Sequence, residues 1–142
     1  AWGDPIQAQQ VVLNLVMNAC DAMRQRPPPR QVIVRATAED GAIRVTVEDH
    51  GSGVDAGDLE RIFDPFHTSK REGLGLGLSV CRTIVIAHQG EIWAESEGAG
   101  RGTAVSFRLP TVHRLHAQPA GSAMLAGGTP AHALGHVPPG QR

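Results

Sequence analysis

The chain has 142 residues, 41% of them hydrophobic and 19% charged, with a formal net charge of −1. That length suits one domain with its own core, and the near-neutral charge gives no electrostatic argument for nucleic acid or an anionic membrane. No apolar run approaches the ~20 residues needed to span a bilayer, and the start lacks a signal-peptide pattern. Cys20 and Cys81 fall in apolar helical surroundings, which predicts two reduced core residues and a cytoplasmic setting.

Asp4 followed by Pro5 pairs an N-cap with a first-turn proline, and Pro27-Pro28-Pro29 stops whatever follows. A helix is therefore predicted over residues 4–26. At about 100° per residue, Val12, Leu13, Val16, Cys20 and Met23 share one broad face, expected to meet the core. Asn14, Asn18 and Asp21 fall together on another side. Most such stripes are simply solvated. Asparagine is nevertheless a poor helix former, and a neutral amide can ligate Mg²⁺ while orienting phosphate oxygens, so the stripe also suits a nucleotide cleft.

Alternation predicts two strands, residues 31–38 and 43–47, joined by a hairpin turn at Glu39-Asp40-Gly41-Ala42. Val32, Val34, Ala36 and Ala38 line one face of the first, and Ile43, Val45 and Val47 one face of the second. Asp49 then stands just past the end of a central strand, followed by Gly51 and Gly53. A carboxylate there can accept a hydrogen bond from the exocyclic amine of adenine, with glycines letting backbone approach a flat ring. An ordinary Asx turn is the competing interpretation.

Residues 54–72 read as a short lid, with a helical turn over 58–62. Phe63 and Phe66, around Pro65, are expected to anchor it by burying two rings. Lys70 and Arg71 bring positive charge suited to polyphosphate, although a solvated basic pair is the plainer alternative, more so for Arg71. Gly73, Gly75 and Gly77 lead into a helix running to about His88, and bare N–H groups at such a start favour an anion. The run is neither a Walker A loop nor a dinucleotide fingerprint.

Residues 91–97 and 103–109 read as closing antiparallel strands, joined through Gly98-Ala99-Gly100-Arg101-Gly102. From residue 111 to 142 the chain is rich in Ala, Gly and Pro, which predicts a disordered tail. The pairs His113/His116 and His132/His136 have a spacing a metal could use on a helix. Neighbouring prolines and glycines, and the lack of a cysteine or carboxylate partner, favour a solvated tail.

Four segments carry a family likeness when taken together and in order. They are Asn14-Leu15-Val16-Met17-Asn18-Ala19, Asp49-His50-Gly51-Ser52-Gly53, Phe63-Asp64-Pro65-Phe66-His67-Thr68-Ser69-Lys70 and Gly73-Leu74-Gly75-Leu76-Gly77-Leu78. They resemble the N, G1, F and G2 boxes of the catalytic, ATP-binding domain of two-component histidine kinases, over residues 4–110. The resemblance implies an α/β fold, a two-layer sandwich whose mixed, mostly antiparallel sheet is covered on one face by helices. It implies a catalytic domain over residues 1–110 followed by the tail. Gyrase and MutL share this superfamily.

For the site, the resemblance implies ATP and Mg²⁺, with Asn14, Asn18 and Lys70 catalytic, Asn18 holding the metal and Asp49 reading adenine. Further nucleotide contacts are implied for Asp21, Gly51, Gly53, Phe63, Thr68, Ser69, Gly73, Leu74, Gly75, Leu76, Gly77 and Leu78. Thr103, in the pair Gly102-Thr103, is implied to lie close to the phosphates. Hydrolysing members carry a glutamate where this chain has Asn14, so transfer to another acceptor is expected in place of fast hydrolysis. The implied acceptor is a histidine on the kinase's own dimerisation domain, and the implied partner beyond it is a response regulator. No contact with nucleic acid or membrane is expected of this domain, and the isolated piece is expected to be monomeric.

Departures are few. His50 replaces the usual Asn or Asp, and Gln89 stands where a glycine commonly ends the second helix. Only Ala1-Trp2-Gly3 could be the remnant of the family's preceding strand, and none of the seven histidines is followed by Glu or Asp as a phosphoacceptor would be. These features predict the catalytic part of a longer kinase, most similar to nitrogen-, oxygen- and dicarboxylate-sensing members. Two other readings stay open, an anti-sigma-type serine kinase of the same fold and a non-catalytic nucleotide-sensing module.

Overall fold

The computed structural model describes residues 4–67 and 77–111. The expected strand remnant Ala1-Trp2-Gly3 and the tail from residue 112 onward lie outside the described residues. Asp4 caps α1 (Pro5–Ala22), its carboxylate accepting from the Ile6 N–H at 2.9 Å, and Pro5 opens the first turn. The helix ends at Ala22 and not near Arg26. Met23 leaves helical geometry at φ −97° and ψ 0°, and its N–H turns back to the Cys20 carbonyl at 3.2 Å.

The buried stripe of α1 differs from the expected one. Val11, Leu15, Ala19 and Met23 are buried, Val12 and Val16 flank them, and Leu13 stays 60% exposed. Residues 11–17 are apolar almost all round, so periodicity could not choose between neighbouring stripes; the packing of sheet and second helix did. Cys20 is exposed as a consequence, and of the two cysteines only Cys81 belongs to the core.

Four strands form one open sheet. β1 (Val32–Glu39) and β2 (Ala42–Asp49) make the predicted hairpin, with Gly41 supplying the positive φ of the turn. β3 (Glu91–Glu95) and β4 (Thr103–Pro110) complete the order β1-β2-β4-β3, and every described pairing is antiparallel, so no parallel pair appears among the described residues. The second helix, α2 (Gly77–Ala87), lies beside α1 on the same face of the sheet. Gln89, just past its end, adopts φ 59° without being a glycine, a left-handed geometry that costs roughly 1–2 kcal/mol in an L-residue.

Val11, Leu15 and Ala19 of α1, Cys81 and Val85 of α2, Val47 of β2 and Phe107 of β4 form the core. The opposite face of the sheet is polar: Arg35 pairs with Glu48 at 2.6 Å, the Thr46 and Ser106 hydroxyls meet at 2.8 Å, and Arg44 lies over the Trp93 ring. This is the expected two-layer arrangement, one helical layer on one face of the sheet. Leu15→Ala should destabilise by about 2–5 kcal/mol, whereas Leu13→Ala should change stability by less than about 1 kcal/mol. Denaturant unfolding of the two variants checks the reassigned face, and equal losses would refute it.

Candidate functional site

Asp49 is the last residue of β2, a central strand, and lies directly across from Thr103 at the start of β4. Among the described residues it is one of two buried polar residues, at 7% exposure. Its Oδ1 accepts the Gly51 N–H at 2.8 Å, and the Thr103 N–H donates to the same carboxylate. Burial pushes the Asp49 carboxyl above its ordinary value of 3.8, while these two backbone donors and neighbouring His50 oppose the rise. The result is a desolvated acceptor at the end of a strand, with lone pairs left for an incoming amino group.

Thr103, which the resemblance implied to lie close to the phosphates, pairs in register with Asp49 and donates its N–H to that carboxylate. Glycine 53 has φ 70°, and a methyl group on it would run into the Gly98 carbonyl. Gly51 is buried against Ala22 of α1, where a Cβ would lie 2.7 Å from backbone. At both glycines, close approach to other segments of the chain accounts for the missing side chain.

The asparagine stripe of α1 faces α2. The Asn14 amide reaches the Cys81 thiol, which is fully buried and donates to the Val11 carbonyl at 3.8 Å. Burial pushes that thiol up to about 11, so it stays protonated and unreactive. One turn further on, the Asn18 side-chain oxygen faces Gly77, 4.0 Å from where a methyl on that glycine would sit. Asp21 pairs with Arg24 at 3.4 Å. Asn14, Asn18 and the N-terminus of α2, with Gly77 and Leu78, are thus brought together from segments some sixty residues apart in the sequence.

The lid is described only in part. Two 3-10 turns, Ala56–Asp58 and Arg61–Phe63, occupy the place of the expected helical turn. Phe63 is buried at 4% exposure, but Phe66 is 75% exposed with φ 64°, so one ring anchors this segment and not two. The turn closed by the His67 N–H on the Asp64 carbonyl directs Phe66 outward. Thr68, Ser69, Lys70, Arg71, Gly73, Leu74, Gly75 and Leu76 lie outside the described residues. Sequence reasoning gave no role to Arg26 or Ser96, which both bond across the loops flanking Asp49.

A groove of about 1100 Å³ opens elsewhere, at the far end of the strands from Asp49. Val12, Leu13 and Val16 of α1, Ile43 and Val45 of β2, and Phe107 and Leu109 of β4 give it a mainly apolar surface, with Asp4, Gln7, Gln9, His88, Gln89 and Thr111 also lining it. Among the described residues, no cluster of three or more His, Cys, Asp or Glu could hold a metal ion. The Asn18 oxygen fits Mg²⁺ as a single neutral ligand completed by phosphate oxygens and water. No helix among the described residues is long and apolar enough to cross a membrane.

Residues 3–113 match the family of histidine kinase-, DNA gyrase B-, and HSP90-like ATPases. The chain belongs to that family. The sensor histidine kinase TmoS of Ectopseudomonas mendocina is 43% identical over 101 residues, which are 69% of this chain and 10% of TmoS. The sensor protein FixL of Bradyrhizobium diazoefficiens is 42% identical over 107 residues, 75% of this chain and 21% of FixL. Among solved structures, a mycobacterial sensor histidine kinase, MprB, superposes with a TM-score of 0.68 at 30% identity, over 76% of this chain and 72% of that one. The chain thus spans about a fifth or less of the length of these curated relatives. It is an ATP-binding domain of the sensor histidine kinase type.

The raised Asp49 pKa fixes the sign of a pH effect. Above its folded pKa the buried carboxylate is charged and unfavourable, and protonation relieves that as the pH falls. The stability of the wild type relative to Asp49→Asn should therefore increase as pH drops from 7, levelling off below the ordinary value of 3.8. Denaturant titrations of both proteins at stepped pH measure it; a difference independent of pH would count against a perturbed carboxyl.

Proposed function

We propose that this domain binds Mg-ATP and delivers the γ-phosphoryl group to a histidine on the dimerisation domain of its own kinase. The buried Asp49 carboxylate carries the reading: it is a desolvated acceptor suited to the exocyclic amine of adenine. At the other end, Asn14 and Asn18 lie against the first turns of α2, and the positive end of that helix's dipole favours polyphosphate. Asn18 would hold Mg²⁺ through its side-chain oxygen, and that ion would supply neutralisation of phosphate charge. Lys70, with Thr68, Ser69 and the glycines 73 and 75, would contact phosphates, as the family resemblance implies.

The absence of a carboxylate at position 14 supports transfer over hydrolysis. An amide cannot take a proton from water, so Asn14 positions and does not act as a base. An acceptor imidazole brings its own nucleophilic nitrogen. Its lone pair forms the N–P bond in line as the bond from the γ-phosphorus to the bridging oxygen breaks, and ADP leaves with that electron pair. A response regulator would then receive the phosphoryl group. The setting this requires is the cytoplasm, where ATP is available.

Asp49→Asn should weaken ATP and ADP alike by about 1.5–3 kcal/mol, the worth of a hydrogen bond to a charged group. Asn18→Ala should remove the Mg²⁺ dependence of binding. Titration calorimetry with and without Mg²⁺ measures both; wild-type affinity in Asp49→Asn would remove the adenine assignment.

Labelled ATP tests the transfer. The domain alone should neither label itself nor release phosphate appreciably, and should label a histidine on a separately supplied dimerisation domain from the same kinase. That transfer should be slow, because an untethered acceptor lacks the effective concentration of a linked one. Acid-stable label on serine, or tight ATP binding with no labelled partner, would overturn the histidine assignment.

A further inference from the structure

Three segments meet beneath Asp49: the end of α1, the loop of residues 50–53 after β2, and the loop of residues 98–102 between β3 and β4. Their backbones bond directly, the Ser52 N–H to the Ala22 carbonyl at 3.1 Å and the Gly100 N–H to the Ser52 carbonyl at 2.6 Å. Gly102 allows the closest approach, because a Cβ there would strike the Asp49 carbonyl. Neither loop has an apolar residue of the core cluster, so hydrogen bonds hold both loops against the end of α1.

One side chain spans the junction. The Arg26 guanidinium donates from Nε to the His50 carbonyl at 3.3 Å and from Nη2 to the Gly100 carbonyl at 2.6 Å. Its own carbonyl accepts the Arg30 Nε at 2.7 Å, which fixes the chain just beyond the helix. A planar fork can hold two carbonyls in one geometry; a lysine ammonium reaches them as a single point. On the far side of the same loops, the Ser96 hydroxyl donates to the Gly102 carbonyl at 2.6 Å and accepts the Val54 N–H at 3.1 Å.

We infer that Arg26 is a positioning residue for nucleotide binding. By clamping His50 and Gly100, it holds the two loops that keep the Thr103 N–H on the Asp49 carboxylate and aim that carboxylate at adenine. It need not touch the ligand. His50 adjoins Asp49 in the chain, and Gly100 lies three residues before Thr103, so freedom at either carbonyl passes directly to the pair that defines the acceptor. Preorganisation of this kind raises affinity by reducing what must be ordered on binding.

The inference rests on the nucleotide reading above, and the test separates the two. In the full 142-residue chain, Arg26→Ala should weaken ADP binding about tenfold, and Arg26→Lys should recover part of that loss to about threefold. In an Asp49→Asn background, Arg26→Ala should change ADP affinity by less than about twofold, because both act through one carboxylate. Without any nucleotide, amide exchange at Ser52 and Gly100 should quicken in Arg26→Ala while the amides of β2 and α2 keep their protection.

Calorimetry with ADP and residue-resolved hydrogen exchange read these outcomes. Unchanged ADP affinity in Arg26→Ala, with wild type binding normally, would overturn the role of Arg26 alone, and so would losses that add independently to those of Asp49→Asn. Failure of wild type to bind ADP would overturn the nucleotide reading and the inference together, even if the two amides lost protection.

Discussion

A charged carboxylate withdrawn from water is the costliest feature of this fold, and the architecture around it exists to hold it. Asp49 is buried at the end of β2, where desolvation disfavours its charge and two backbone donors, with His50 beside it, oppose that cost. Those donors come from two places. Gly51 contributes from a sharp turn immediately after the strand, and Thr103 from the neighbouring strand, which requires the register pairing Asp49 with Thr103. Glycine at 102 lets the two chains close to that distance. Displacing any of these leaves a buried charge short of donors, which is more damaging than losing a surface contact.

α1 serves two partners with two stripes. Val11, Leu15 and Ala19 enter the core beside Val47 and Phe107, while Asn14 and Asn18 turn toward α2. The junction is made firm by Cys81, whose protonated thiol sits between the Val11 carbonyl and the Asn14 amide. Packing and binding are therefore coupled along one helix. The face where Asn14 and Asn18 meet α2 is assembled from segments some sixty residues apart, and only the docking of the two helices creates it.

The chemistry of the described groups favours binding and orientation over bond breaking by the domain itself. Asparagine at position 14 can align and ligate but not accept a proton, and Cys81 is held neutral. Membership of the ATPase family and likeness to the sensor kinases TmoS and FixL agree with a domain that binds ATP. The large apolar groove at the opposite end of the strands takes no part in that chemistry.

The sequence alone determined the order of elements, the hairpin at Gly41, the cap at Asp4 and the family, because these depend on local chemistry and on motifs read within a few residues. The four boxes were legible for the same reason. Tertiary structure decided what local pattern could not. Residues 11–17 are apolar almost all round, so only the docked sheet and α2 could bury Leu15 and leave Leu13 exposed. A phenylalanine looks like an anchor in any sequence, yet the turn after Asp64 points Phe66 to solvent. Strand register, which no local pattern fixes, set Thr103 across from Asp49. Arg26 carried no signal at all, since its two partners are backbone carbonyls, which every residue possesses and which become specific only when folding brings them together.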